Sequence, residues 1–97
     1  MIDNESSSLT TGWYVYVLQC KDGTFYTGIT TDPERRLKEH NTGKGSKYTR
    51  SRIPCFLMKS WEVANRSVAS KLELKIKSLT KKEKTSVCDL DCIDHLL

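Results

Sequence analysis

Arg36 and His40 stand four residues apart, the spacing that puts two side chains on one face of a helix. Glu73 lies in KLELKIKSL among Lys71, Lys75 and Lys77. Tyr14, Tyr16 and Tyr26 fall in two short β-branched and aromatic runs. A guanidinium, an imidazole, a carboxylate and phenols are groups that move protons, stabilise negative charge and hold cations. Each also has a plainer reading. Arg36 and His40 suit an ordinary surface helix, Glu73 suits a solvated partner for lysine, and strand tyrosines usually pack with a wet tip. Cys88-x-x-x-Cys92-x-x-His95 carries zinc-type donors. Its spacing is not that of a usual finger and no fourth ligand is evident, so packing or incidental thiols are the alternative.

The elements around these residues decide between such readings. Trp13 to Cys20 and Phe25 to Ile29 read as two strands joined at Lys21-Asp22-Gly23. A two-residue Asp22-Gly23 loop is the stronger local signal, but it sends Tyr26 to the face opposite Tyr16. A three-residue loop with Gly23 in the left-handed region pairs Leu18 with Tyr26. Tyr14, Tyr16 and Tyr26 then share a face, because a one-residue slip flips every side chain. We expect the three-residue loop, since it alone lets both later tyrosines line one site.

Asp32 and Pro33 announce a helix over ERRLKEHN, with Gly43 as its left-handed stop. Leu37 is the only large apolar residue of that helix, so it has little to bury. Residues 43–54 read as a basic loop and Phe56 to Val63 as a third strand. Residues 66–79 form a helix with Val68, Leu72, Ile76 and Leu79 inward. Glu73 lies about 85° from the centre of that stripe, at its edge. Thr80 caps a further short helix, KKEKTSV. The order β-β-α-β-α-α predicts an α+β fold, a three-stranded, mostly antiparallel sheet flanked by helices.

A 97-residue chain is one domain. With 37% hydrophobic and 29% charged residues it is globular, and no apolar run nears the ~20 residues of a membrane span. The polar stretch 1–11 reads as a disordered leader, neither signal nor transit peptide, and 88–97 as an acidic tail. All 16 Lys and Arg fall in residues 12–87 against seven acids, a net +9. Such a body fits a polyanionic partner, most simply nucleic acid, or a basic surface kept for solubility. Four cysteines without a disulfide framework suggest free thiols and an intracellular, cytoplasmic or nuclear, setting.

The hairpin YVYVLQCKDGTFYTGIT resembles the GIY-YIG nuclease domain. Its first element appears as Tyr14-Val15-Tyr16 and its second as Tyr26-Thr27-Gly28. The helix arginine falls on Arg36, the histidine one turn later on His40, and the metal-binding glutamate on Glu73. The run GITTDPERRLKEHNTGKGSKYTR is similar to small stand-alone members and to the nuclease domain of structure-specific endonuclease subunits. The likeness spans about residues 12–85. Tyr14 stands where the family has glycine and Thr27 where it has isoleucine, and neither change removes a reactive group.

The resemblance implies a metal-dependent endonuclease acting on DNA phosphodiesters, in repair or recombination. The implied catalytic set is Tyr16, Tyr26, Arg36, His40 and Glu73. Arg36 would grip two phosphate oxygens at once. Glu73 would hold one Mg²⁺ or Mn²⁺, its shell completed by water and phosphate. Tyr16 is the general base by family position and His40 its rival, and the sequence leaves both open. Lys44, Lys47 and Arg50 would hold flanking phosphates. The alternatives are a non-catalytic nucleic-acid-binding module and a repair-nuclease subunit activated by a protein partner.

Overall fold

The structure, a computed structural model, describes residues 12–97; the expected leader, 1–11, lies outside them. Strand β1 (Trp13–Gln19) runs antiparallel to β2 (Phe25–Thr30) through the three-residue loop. The Cys20 N–H donates to the Thr24 carbonyl at 2.8 Å, and the Gly23 N–H to the Cys20 carbonyl at 2.9 Å. Gly23 takes φ +85°, which the left-handed bend requires. The Asp22 carboxylate also has work outside a tight hairpin. It accepts from the Thr24 N–H and hydroxyl and is paired with Arg52 at 3.1 Å. Leu18 therefore faces Tyr26, and Tyr16 faces Gly28.

Helix α1 (Pro33–Asn41) begins where Asp32 accepts from the Arg35 N–H at 3.1 Å, with Pro33 in its first turn. It ends as Gly43 turns to φ +82° and the Lys44 N–H closes on the Glu39 carbonyl at 2.8 Å. The expected basic loop is not wholly irregular. Ser46 accepts from the Thr49 N–H and starts a one-turn helix, α2 (Lys47–Arg50).

Strand β3 (Phe56–Val63) pairs with β1 on its other side, so the sheet order is β2-β1-β3, fully antiparallel. Helix α3 (Arg66–Lys77) is capped by Asn65, and α4 (Lys81–Val87) by a reciprocal Thr80–Glu83 capping box.

The two faces of the sheet are covered differently. On one, Val15 and Val17 meet Trp61, Val63, Ala69, Leu72, Ile76 and Val87 in the main core. Ile93 completes it, with Leu96 of a terminal 3₁₀ turn (Asp94–Leu96) packed alongside. The acidic stretch 88–97 is thus docked rather than free, and the Trp61 indole N–H donates to the Leu90 carbonyl at 2.8 Å. On the other face, Tyr16, Leu18, Cys20 and Cys55 form a smaller cluster with Tyr26, Leu37, Ile53 and Leu57. Cys88 and Cys92 are free thiols. Among the described residues no three His, Cys, Asp or Glu side chains converge on a metal-sized space. No helix among those residues is long and apolar enough to cross a membrane.

Candidate active site

His40 is the residue that α1 buries, and burying an imidazole is costly unless both nitrogens are bonded. Both are. Nε2 lies 2.8 Å from the Tyr16 phenol oxygen, and Nδ1 lies 2.7 Å from the Thr49 hydroxyl. Burial, helped by the nearby Arg36 charge and opposed by Glu39, lowers the His40 pKa to about 4, so the ring is neutral at ordinary pH.

The partners accommodate the tautomer protonated at Nδ1. Thr49 Oγ1 has acceptors of its own in the Ser46 hydroxyl, 3.1 Å, and the Ser46 carbonyl, 3.4 Å. With Thr49 donating to the Ser46 carbonyl it accepts from Nδ1–H, and Nε2 is left to accept from Tyr16. A line of hydrogen bonds runs from the Tyr16 O–H inward to His40, Thr49 and Ser46.

Glycine is required at two points of this arrangement. A Cβ on Gly28 would come 2.6 Å from the Tyr16 phenol oxygen, so the ring lies across β2 only because residue 28 has no side chain. A Cβ on Gly45 would collide with the His40 ring. The same Gly45 carbonyl accepts from Arg36 Nη2 at 2.8 Å, while Arg36 Nη1 bonds Glu39 Oε1 at 2.8 Å. The loop after α1 thus clamps Arg36 and His40 together. The guanidinium carries five donors, more than these two contacts use.

The aromatic rings close around the imidazole. Tyr26 meets His40 edge-on at 4.9 Å and Tyr16 at 6.3 Å, and Tyr48 lies 5.9 Å beyond Tyr26. Desolvation pushes the Tyr16 phenol up to about 12; Arg36 opposes that shift, and the charges of Tyr26 and Glu73 add to it.

Glu73 projects from α3, its side chain 20% exposed and paired with Lys77 at 3.3 Å. Its donor oxygens are of the hard type that Mg²⁺ or Mn²⁺ takes, and a single carboxylate leaves the rest of the shell to water and substrate oxygens. The residues fit such an ion.

Four of the eight expected site residues are in contact, Tyr16, Tyr26, Arg36 and His40, and Glu73 lies near enough for its charge to act on Tyr16. Lys44, Lys47 and Arg50 are exposed on the segment that covers His40, with Lys44 before α2 and the other two on it. Sequence reasoning missed Thr49, Ser46, Gly45 and Tyr48. Ser46 is a residue type that caps helix starts, the one local signal for α2.

Comparison with known proteins follows the same residues. The model of the GIY-YIG catalytic domain matches residues 12–86. A UPF0213 protein of Halalkalibacterium halodurans is 46% identical over 77 residues, 79% of this chain and 82% of its own length. One from Enterococcus faecalis is 52% identical over 73 residues, 73% of this chain and 83% of its own. A solution NMR structure of a UPF0213 protein from Bacillus halodurans is similar with TM-score 0.51 at 44% identity, covering 79% of this chain and 82% of that one. An NMR structure from E. faecalis gives TM-score 0.54 at 47% identity, covering 78% and 81%. The chain belongs to the GIY-YIG catalytic domain family, a family of nucleases, among its small UPF0213 members.

Proposed function

We propose that this protein is a metal-dependent endonuclease that hydrolyses DNA phosphodiester bonds, in repair or recombination. The observation that carries the reading is the buried Tyr16–His40–Thr49 line beside Arg36 and Glu73. A core that only needed filling would place an apolar side chain at residue 40.

The line supports a division of labour between the two candidate bases. His40 is 0% exposed and Tyr16 only 1%, but Tyr16 is hydrogen-bonded to the partly exposed Arg36, so of the two bases it is the one nearer a phosphate bound there and the water that attacks it. An isolated phenol pushed up to about 12 is a poor base at neutral pH. Coupling removes the difficulty. Tyr16 takes the proton of the attacking water while its own proton passes to His40 Nε2, and no free phenolate forms. Burial is the larger part of what holds His40 down, and substrate relieves the other part, because a phosphate against Arg36 cancels some of its positive field.

Arg36 stabilises the charge that gathers on the phosphoryl oxygens. Tyr26 holds the imidazole edge and orients it. Glu73 would hold one Mg²⁺ or Mn²⁺, which when bound supplies Lewis-acid stabilisation of the departing oxygen. Lys44, Lys47 and Arg50 bind flanking phosphates, giving affinity without sequence reading.

The test is nicking of supercoiled and branched DNA with Mg²⁺ or Mn²⁺. Wild type is expected to nick. Arg36→Ala and Glu73→Ala should each lose at least about 100-fold, with unchanged far-UV circular dichroism. Near-normal cleavage by either variant removes it from the catalytic set.

A further inference from the structure

A cleft of about 320 Å³ opens beside the catalytic group, lined by Phe25, Tyr26, Thr27, Tyr48, Lys77 and Lys84. It adjoins the site through two of its walls. Tyr26 packs on His40, and Lys77 is the ion-pair partner of Glu73. The walls differ in chemistry. Tyr26 and Tyr48 stand 5.9 Å apart with their rings inclined by only 30°, so they form one aromatic surface. Arg52, which does not line the cleft, sits 4.0 Å over the Tyr48 ring and holds it in place. Even so, Tyr48 is 38% exposed. The other side carries the ammonium groups of α3 and α4. Thr27 also lines the cleft, and its buried Oγ1 has no hydrogen-bond partner.

An aromatic surface facing two cations is the chemistry of one nucleotide: a flat base against the rings, a phosphate between the lysines. The volume is at the low end of small-ligand sites, the scale of a single residue of a strand. We propose that this cleft holds one unpaired nucleotide next to the cleaved phosphate, its base on Tyr26 and Tyr48 and its phosphate between Lys77 and Lys84. The proposal rests on the nuclease reading for the kind of ligand and adds the form of it. Inside a duplex each base face is covered by its neighbours, so only a frayed, flapped or single strand offers a base to a protein ring. Substrates with an unpaired nucleotide beside the cut are therefore preferred. Lys77 has two uses in sequence: it pairs with Glu73 in the free protein, and it turns to phosphate once a cation takes the carboxylate.

The experiment measures binding without chemistry. Fluorescein-labelled 12-nucleotide single strand and a 12-base-pair duplex are titrated in EDTA and followed by anisotropy. The full chain is compared with Tyr48→Ala, Tyr48→Phe and the Lys77→Ala/Lys84→Ala double variant. The single strand is expected to bind more tightly than the duplex. Tyr48→Ala should weaken single-strand binding about tenfold, Tyr48→Phe should keep it, and the duplex should change less than twofold. In EDTA the double variant should flatten the single-strand salt slope by about 0.7, the share of Lys84, because Lys77 stays on Glu73 until a cation takes the carboxylate. The proposal fails if Tyr48→Ala weakens both nucleic acids alike or neither, or if Tyr48→Phe loses as much as Tyr48→Ala. Selective single-strand binding by a wild-type chain that cuts nothing with Mg²⁺ or Mn²⁺ would overturn the nuclease reading and leave the cleft. Cleavage without the Tyr48 pattern would do the reverse.

Discussion

The two faces of the sheet solve opposite problems with alternate residues of the same strand. Val15 and Val17 point into an apolar core closed by α3, α4 and Ile93. Tyr16, between them, points the other way into a layer that keeps a buried imidazole, a phenol and a threonine hydroxyl bonded to one another. The first face obtains its stability from area removed from water. The second spends part of that stability on polar groups that must all be satisfied at once. A single domain can therefore carry an expensive polar layer if the opposite face is well packed.

Neighbours in sequence give the sharpest way to break that contrast. Leu72 is fully buried in the apolar core, and Glu73 lies at its edge. Leu72→Ala should lower unfolding free energy by about 2–5 kcal/mol, the ordinary cost of a core cavity. Glu73→Ala should cost less than about 0.5 kcal/mol, because an i,i+4 pair with a half-exposed lysine contributes little. Urea unfolding of both variants checks this. A Glu73→Ala loss as large as that of Leu72→Ala would mean that the carboxylate is a structural member of the core.

Legibility followed the same division. The core face was readable because it obeys simple periods: alternation in β1, and three- and four-residue steps through Leu72 and Ile76 in α3. Of the polar face, Arg36 and His40 were readable because helical spacing alone brings them to one side. The loop that completes the site was not. Helix α2 is one turn long, shorter than any hydrophobic period, and the charges of Lys44, Lys47 and Arg50 made it read as solvated. Thr49 is nonetheless fully buried, because the second nitrogen of His40 needs a partner. Ile93 was hidden in the same way, in a short stretch between Asp91 and Asp94 with no clear period, until the gap beside Trp61, Val87 and α3 gave it a place. Gly28 was readable as a motif letter but not as a cause, since the ring lying over it comes from the neighbouring strand.

A second prediction uses acid to separate the faces. The His40 pKa is about 4 in the folded protein, against an ordinary value near 6.5. The unfolded chain therefore binds a proton that the folded one refuses, and stability falls as pH drops from about 6.5 toward 4. At about 1.4 kcal/mol per unit, His40 alone contributes up to about 3 kcal/mol to that fall. Thermal or urea midpoints across this range should show it, and His40→Gln, which cannot titrate, should flatten the profile. An apolar core without titrating groups has no such slope. An equally steep profile in His40→Gln would place the acid sensitivity elsewhere.

The smallest expected effect lies outside both faces, on α2. Lys47 is exposed there, one residue before Tyr48 and two before Thr49, so a cation on this helix is carried by the same turn that secures His40. If it contacts a phosphate, it releases about one condensed counterion when DNA binds. Lys47→Ala should then weaken binding to all sequences alike, by a few-fold near physiological salt, and make the slope of log K against log salt shallower by about 0.9 for duplex DNA. Stability should not change, since the side chain is exposed. The combination matters more than either number. A shallower slope with unchanged stability makes α2 a platform that carries phosphate contacts outside and secures His40 inside. An unchanged slope removes Lys47 from the footprint and leaves α2 only its inward task through Thr49. A loss of stability would mean that Lys47 supports the turn itself, and the contrast between a packed face and a working face would have to be redrawn to include the helix that joins them.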